Sequence, residues 1–304
     1  MNLPLVSHPA YSTPLPEEHR FPMAKFRLLV DHLRQLDLLR DDHLHQPLPI
    51  PRRWLELVHP RSYHEAFSQQ RLSAAEARRI GLPATPGVIR RSWLAVGGTV
   101  LTARLALQHG LACHLAGGTH HAFGTAGSGF CIFNDVAVAA RVLLDEGIVE
   151  RILVVDLDVH QGDGTATLFE ADPRVFTFSA HAESNFPLRK ARSDWDLPLP
   201  DGMEDEAYMA SVGGLLPDLL SEVRPHLVFY NAGVDPHRQD RLGRLCLSDG
   251  GLLLRERMVL ETCLREQVPV ATVIGGGYDA LTPLVERHGL VIRAAAEAAL
   301  LHRL

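Results

Sequence analysis

Lysine is the charged residue that this sequence almost lacks: Lys25 and Lys190 are the only two lysines among its 30 basic residues. We interpret this arginine bias as a preference of the genome. Cysteine is also scarce, and the four cysteines show no paired spacing. Neither a disulfide framework nor a cysteine-rich zinc site is therefore indicated. Unpaired cysteines fit a reducing compartment, so we expect a cytoplasmic protein.

An excess of positive charge and long hydrophobic runs are absent as well. The formal net charge is -6, so no basic surface is expected to hold a nucleic acid. No apolar run reaches the roughly 18 residues of a membrane span, and the amino-terminal residues do not resemble a signal peptide. We therefore expect neither a nucleic acid nor a membrane as a direct partner of this chain.

The sequence does contain enough apolar material for a large core, since 46% of its 304 residues are hydrophobic. It shows no internal repeat and no obvious linker, so we expect a single domain over residues 1–304. Apolar runs alternate with helical patterns, which predicts an α/β fold with a mainly parallel sheet. The predicted strands are Leu111–Leu115, Ile152–Leu157, Val175–Phe178, Leu227–Tyr230 and Val268–Ile274. The predicted helices are Pro22–Leu39, Arg91–Gly110, Asp135–Glu146, Ala207–Val223 and Leu252–Arg265.

Each predicted strand is followed by a segment rich in glycine, aspartate or histidine. In open α/β sheets, ligands bind beyond the carboxyl ends of the strands. We therefore expect these five segments to meet at one edge of the sheet. They are Gly117–His121, Asp156–Asp163, Ser179–His181, Asn231–Asp235 and Gly275–Tyr278.

Asp156, Asp158 and His160 alternate at the end of the second run, so in a strand all three would project from one face. Burying two carboxylates beside an imidazole is costly unless a cation compensates them. We predict that Asp158, His160 and Asp235 bind a metal ion, although Asp235 alone would fit a turn before Pro236 equally well. Three protein ligands with an open fourth position are typical of catalytic zinc, and iron(II) suits the same donors.

His120 and His121 are adjacent, so their side chains diverge and a shared metal ion is not expected. We predict instead that each imidazole pairs with its own carboxylate. Asp156 and Asp163 are the natural partners, because both lie near the exit of the next predicted strand. A histidine–aspartate pair fixes the tautomer and stabilises the imidazolium, as general base catalysis requires.

Tyr278 follows three consecutive glycines, which allow the backbone to turn sharply and approach a ligand closely. Its hydroxyl group is placed to donate to a substrate carbonyl on which negative charge develops. The alternative is a surface tyrosine after a flexible turn. Phe130 and Phe186 would suit the walls of a narrow apolar slot, although each phenylalanine taken singly is more typical of the core.

Taken together, these residues resemble the zinc-dependent histone deacetylase family of the arginase–deacetylase superfamily. The matching motifs are Gly-Gly-Thr-His-His-Ala, Asp-Leu-Asp-Val-His-Gln-Gly-Asp-Gly, Asn-Ala-Gly-Val-Asp and Gly-Gly-Gly-Tyr. They occur in the family order and cover nearly the whole chain. The string Asp240–Leu245 looks most like the class IV branch and its bacterial relatives. The resemblance implies a three-layer fold with helices on both sides of the sheet.

The resemblance also implies an activity, the removal of acyl groups from N-acyl-lysine by metal-activated water, with zinc on the three ligands named above. His121, paired with Asp163, would be the general base and then the general acid. His120, paired with Asp156, would act chiefly through its charge. Tyr278 would polarise the acyl carbonyl.

Further implied sites are a structural potassium ion and an acyl-lysine tunnel. Two departures concern substrate recognition: Thr119 stands where class I members carry a larger apolar residue, and the acidic loop residue that grips a substrate backbone is not identifiable. The potassium positions are Asp156, Asp158, His160, Ser179 and Ala180, several through backbone oxygens. The substrate-binding positions are Gly129, Phe130, Phe186 and Gly276.

Three other functions compete with an acyl-lysine hydrolase. The same chemistry would serve an acetylated polyamine or another small acyl-amine. An arginase-like enzyme with two metal ions would need further aspartates, and residues 231–235 provide only Asp235. A catalytically silent binder of acyl-lysine would typically lack a ligand or the tyrosine, and every position is present here. The oligomeric state does not follow from the sequence.

Overall fold

An eight-stranded sheet organises the fold. The computed structural model describes residues 3–304. All pairings between the named strands are parallel. The strands, numbered along the chain, are β1 Leu5–Val6, β2 Leu44–His45, β3 Leu111–His114, β4 Ile152–Asp156, β5 Val175–Ala182, β6 Trp195–Leu199, β7 Leu227–Asn231 and β8 Val270–Val273. Their order across the sheet is β2-β1-β3-β8-β7-β4-β5-β6.

Helices connect and cover these strands. None of the helices within residues 3–304 is both long and apolar enough to cross a bilayer. The α-helices are α1 Lys25–Gln35, α2 Arg52–Leu55, α3 Arg61–Ser68, α4 Ala74–Ile80, α5 Pro86–His109, α6 Asp135–Asp145, α7 Asp163–Phe169, α8 Asp205–Val212, α9 Leu215–Val223, α10 Asp249–Arg265 and α11 Leu281–His302. Short 3-10 helices span Pro9–Tyr11 and Asp41–His43.

The helices form one layer on each face of the sheet. From β2 to β6 the chain advances across the sheet, and from β6 to β8 it returns. Because crossovers between parallel strands are right-handed, the advancing and returning connections lie on opposite faces. The contacts agree: α5 packs on α6, whereas α11 packs on α10 and α1. This three-layer arrangement confirms the predicted α/β fold with its parallel sheet.

At two places in the sheet, two neighbouring strands are followed by helices on opposite faces. β4 and β7 are neighbours, yet α7 leaves β4 towards one face and α10 leaves β7 towards the other. The same divergence separates the segments after β3 and β8. Such switch points leave a crevice at the carboxyl edge of a parallel sheet. Four of the five polar segments predicted to form a site follow these four strands.

The five predicted strands exist, but one boundary changes the interpretation of a segment. The predicted third strand ended at Phe178, whereas β5 continues to Ala182 because β6 pairs with its second half. Ser179–His181 therefore lies inside a strand and does not follow it. β6 itself was not predicted, since its sequence is short, partly polar and contains Pro198. A proline is tolerated there because β6 is an edge strand.

The helix predictions were right in kind and wrong at several boundaries. The predicted helix Arg91–Gly110 begins earlier, at Pro86, because Thr85 caps it and proline suits the first helical position. The predicted helix Ala207–Val223 is two helices separated at Gly213 and Gly214. Helix α11 was not predicted.

Helix α5 packs closely on the 3-10 helix Pro9–Tyr11 and on β3. Tyr11 Oη lies 2.8 Å from His114 Nε2, and His114 Nδ1 lies 3.0 Å from Thr99 Oγ1 of α5. Gly98 faces this buried pair, and a Cβ atom at that position would overlap the tyrosine hydroxyl and the histidine ring. A larger residue therefore cannot be accommodated without moving the tyrosine and the histidine.

We expect Gly98→Ala to lower the free energy of unfolding by about 1–3 kcal/mol, because overpacking forces buried neighbours from their positions. The matched control is Gly250→Ala in the first turn of α10, where a Cβ atom would meet only Ser248 Oγ, at 3.4 Å. That change should cost nothing or stabilise slightly. Urea titrations of both variants measure the difference, and equal stability would contradict the packing argument.

Candidate metal centre and active site

Asp158, His160 and Asp235 converge at the crevice between β4 and β7. Each offers a ligand atom, and these atoms all lie within 4.8 Å of one another. His160 Nδ1 is 3.0 Å from Asp158 Oδ1 and 3.1 Å from Asp235 Oδ2. All three residues are buried. The structure thus brings together the three predicted metal ligands. Asp158 and His160 lie in a bend that follows β4, because the strand ends at Asp156.

The chemistry of this donor set fits a divalent cation. Two buried carboxylate oxygens and one imidazole nitrogen suit zinc or iron(II). The backbone also leaves room for close approach. Gly276 has a φ of +54°, and a Cβ atom there would overlap the Asp235 carboxylate. A Cβ atom at Gly233 would lie 2.8 Å from Asp158 Oδ2. Glycine at these positions lets both carboxylates turn towards His160.

Arg255 of α10 fixes the two loops that carry the ligands. Its side chain is fully buried. Nη1 donates to the carbonyl oxygen of Leu157 at 3.0 Å, and Nη2 donates to that of Gly233 at 2.7 Å. Glu256 balances the charge, with Oε1 at 2.5 Å from Nη2. One guanidinium thus joins the segment before Asp158 to the segment before the third ligand.

The two adjacent histidines take the partners that the sequence predicted. His120 Nδ1 lies 2.7 Å from Asp156 Oδ2, and His121 Nδ1 lies 2.6 Å from Asp163 Oδ1. Asp163 is the first residue of α7. Because each carboxylate holds Nδ1, Nε2 of each imidazole is left for the crevice. The His121 ring centre lies 5.8 Å from that of His160.

Burial and neighbouring charges shift the pKa values of the two histidines in opposite directions. Burial alone would lower the pKa of His120, but Asp156 and Asp158 raise this pKa to about 9. Burial, with the neighbouring His120 and His160, holds the pKa of His121 well below its usual value. Burial also raises the pKa of Asp163 to about 6. The charges of the two aspartates thus favour the protonated form of His120, whereas burial favours the neutral form of His121.

Two polar residues that the sequence interpretation did not assign hold the histidine loop. Asn231 Nδ2 donates to Asp156 Oδ1 at 2.9 Å. Asp135, at the start of α6, accepts from the backbone nitrogens of Thr119 at 2.7 Å and Gly118 at 3.2 Å. Asp135 also accepts from Thr99 Oγ1 at 2.6 Å. The loop before the histidine pair is therefore anchored to α5 and α6.

Tyr278 lies on the wall of a pocket that reaches the metal ligands. Its backbone nitrogen donates to Asp240 Oδ2 at 2.7 Å, and its ring centre is 5.7 Å from that of Phe130 and 6.4 Å from that of His160. Burial raises the pKa of its hydroxyl group well above the usual value. The pocket has a volume of about 390 Å³ and is lined by Arg79, Ser128, Gly129, Phe130, His160, Asn185, Phe186, Leu242 and Tyr278.

Phe186 forms the outer wall of this pocket. Its ring centre lies 4.9 Å from that of His121. Lys190 holds the flanking backbone, because Nζ donates to the carbonyl oxygens of Asn185 and Pro187. Gln161, which follows His160, adds a second tie by exchanging hydrogen bonds of 2.9 and 2.8 Å with the backbone of Ala191. The phenylalanine is thus carried by a fixed loop.

Lys25 approaches the metal ligands from α1. It is 2% exposed, and its Nζ donates to the carbonyl oxygen of Gly276. Burial and the neighbouring Arg91 lower the pKa of Lys25 to about 8, although Asp235 opposes this shift. The ammonium group therefore partly offsets the buried negative charge and also fixes the glycine turn before Tyr278.

The predicted potassium positions lie together beside the metal ligands. Asp156 of β4 is paired in register with Ser179 of β5, and Ser179 and Ala180 are both buried. Ser179 Oγ lies 3.0 Å from His181 Nδ1. The register places Ser179 and Ala180 next to the end of β4, after which Asp158 and His160 follow.

The structure brings together every residue that the sequence predicted for catalysis and metal binding. The residues that sequence reasoning missed hold the predicted site residues or their loops in place. Asn231 stood in a motif that was recognised without a role being given to it. Lys25 was visible only as one of two lysines. Asp135 and Arg255 were treated as ordinary helix residues, and no local signal marks either as buried.

Known proteins are similar to this chain in fold and in sequence. The sequence model described as "Histone deacetylase domain" matches residues 19–292. A crystal structure of the HDA15 HD domain superimposes with a TM-score of 0.79 at 22% identity, covering 98% of this chain and 93% of that one. At that identity the structural likeness supports the fold alone.

Three sequence relatives extend the comparison. A Picosynechococcus protein without a functional name is 56% identical over 298 residues, which cover 98% of this chain and 99% of the relative. Histone deacetylase 2 of Arabidopsis thaliana is 32% identical over 60% of this chain and 48% of its own length. Acetoin utilization protein AcuC of Staphylococcus aureus is 30% identical over 75% of this chain and 64% of its own length. The chain belongs to the histone deacetylase family.

Proposed function

We propose that this member of the family is a zinc-dependent hydrolase that removes acyl groups from N-acyl-lysine side chains. The observation that carries the proposal is the convergence of Asp158, His160 and Asp235 within 4.8 Å, next to two histidine–aspartate pairs and one tyrosine. Family membership and the name of the Arabidopsis relative support a deacetylase hydrolase. The predicted potassium ion belongs to the same proposal, as a structural ion beside β4 and β5.

A bound zinc ion would supply a Lewis acid and lower the pKa of a water molecule. The chain's own residues perform the proton transfers. His121, held at Nδ1 by Asp163, takes a proton at Nε2 and returns it to the departing amine. His120, held by Asp156, remains cationic and stabilises developing negative charge. The Tyr278 hydroxyl has no hydrogen-bond acceptor within residues 3–304 and donates to the acyl carbonyl oxygen.

The pocket favours an acyl group on a slender chain. Its walls near Tyr278 are the rings of Phe130 and Phe186, which pack well against methylene groups. A lysine side chain fits this description, and so does an acetylated polyamine. A protein or peptide substrate is the first proposal because the relative from Arabidopsis thaliana is named for a protein substrate, histone.

The metal proposal predicts one zinc ion per chain and a loss of affinity in Asp235→Asn. Removing a charged ligand should weaken zinc binding at least about 100-fold, since even outer partners of zinc ligands contribute that much. The control is Asp218→Asn on the exposed face of α9. Chelator competition with elemental analysis measures the affinity. Two transition-metal ions per chain would instead support the arginase-like alternative, and no zinc ion would refute the metal site.

The tyrosine proposal predicts that Tyr278→Phe lowers kcat on an acetyl-lysine peptide by about 10²- to 10³-fold, the usual effect of losing one oxyanion donor. Zinc content should not change, because Tyr278 is not a ligand. Tyr208→Phe is the matched control, since that hydroxyl is buried without a partner in the described chain and lies outside the pocket. Undiminished turnover of the Tyr278 variant would remove the tyrosine from the mechanism.

The substrate proposal predicts turnover of at least one member of a peptide series carrying acetyl-, crotonyl-, lactyl- or long-chain acyl-lysine. A hydroxamate chelator should abolish that turnover, because it competes for the zinc ion. Acetylspermidine is measured alongside. Zinc-loaded enzyme that cleaves acetylspermidine efficiently and no acyl-lysine would transfer the proposal to the small acyl-amines.

A further inference from the structure

The last turn of α4 is built into the wall of the active-site pocket. The carbonyl oxygens of Arg79 and Ile80 accept hydrogen bonds from the backbone nitrogens of Gly129 at 3.1 Å and Phe130 at 2.7 Å. The Arg79 side chain returns to the same segment, where Nε donates to the carbonyl oxygen of Gly127 at 3.0 Å. Backbone and side chain together therefore fix the position of Arg79 relative to the pocket.

Arg79 provides the charge at the mouth of this pocket. The other residues that line it, apart from His160 at its base, are neutral, and no carboxylate of residues 3–304 is among them. Asn185, Phe186 and Leu242 are among these neutral residues. The two terminal nitrogens of Arg79 have no acceptor in the described part of the chain. Their hydrogen-bond donors are therefore free for a ligand.

We propose that Arg79 is a specificity-determining residue that binds a carboxylate close to the acyl-lysine, so that the enzyme selects acyl-lysines in acidic peptide segments. The inference rests on the proposed acyl-lysine hydrolase function. A guanidinium group stays protonated and only donates hydrogen bonds, in a planar geometry that matches carboxylates. The same group repels an ammonium ion, so it selects against polyamines and against lysine-rich segments.

The neighbouring surface does not supply an equivalent preference. A groove of about 820 Å³ adjoins the pocket at Tyr278. It carries Glu17 and Glu18 as well as Arg20 and Arg241, so its exposed charges have both signs. The pocket that reaches His160 differs, because basic charge lines it without acidic charge from residues 3–304. The selectivity is therefore assigned to Arg79 alone.

The test uses the zinc-loaded full chain and two peptides that carry the acyl-lysine cleaved fastest in the substrate series. The peptides differ only in the flanking residues, glutamate in one and arginine in the other. We expect kcat/KM to be about threefold to tenfold higher for the acidic peptide, a range typical of partly exposed charge pairs. Added salt should reduce the ratio. Arg79→Gln should bring the ratio close to one, and Arg79→Glu should reverse it.

Arg78→Gln is the matched control, because Arg78 precedes Arg79 on α4, is also exposed and does not line the pocket. It should keep the wild-type ratio. A purely structural role of Arg79 would lower turnover of both peptides equally, and that result would overturn the inference. Equal cleavage of both peptides by the wild type would overturn it too while leaving the hydrolase intact. Cleavage of no acyl-lysine peptide, in this pair or in the series, would refute the proposed function itself.

Discussion

The rest of this structure depends on two buried aspartates that turn towards one histidine. Asp158 and Asp235 have side chains that are 1% and 0% exposed, and like charges so close and so far from water repel each other strongly. A cation between them removes that cost, and the surrounding chain has to hold them in place for it. The glycines, Lys25 and the arginine of α10 are all understandable as parts of that arrangement.

The sheet topology explains why the ligands meet where they do. β4 and β7 are adjacent, but their following helices cover opposite faces, so the two loops part and leave a crevice. That divergence would also leave the loops free to separate. Arg255 prevents this by donating to a carbonyl oxygen on each side. A single buried guanidinium group therefore holds together the two loops that the sheet topology separates.

The sequence predicted the fold and the reacting groups because both have local signatures. Buried parallel strands are continuous apolar runs, and the ends of those runs carried Asp156, Asp158, His160 and the histidine pair. Family membership confirms the resemblance on which their roles were proposed; the class IV subtype stays a prediction.

Supporting residues could not be predicted, because their importance depends on distant partners. Arg255 contacts carbonyl oxygens 98 and 22 residues away, and nothing in the helix that contains it shows which arginine faces inwards. The length of β5 also depends on a distant partner. Ser179–His181 joins the strand through pairing with β6, which was not predicted. An edge strand of five residues with a proline has almost no sequence signature.

The positions of the two lysines have a chemical consequence of their own. One ammonium group is enclosed behind the glycine turn and the other is bound to two backbone oxygens beside Phe186. Reactive acyl donors in a cell modify amines that are free and accessible. Both lysine amines of this chain donate to backbone oxygens, which makes each of them less available to such reagents.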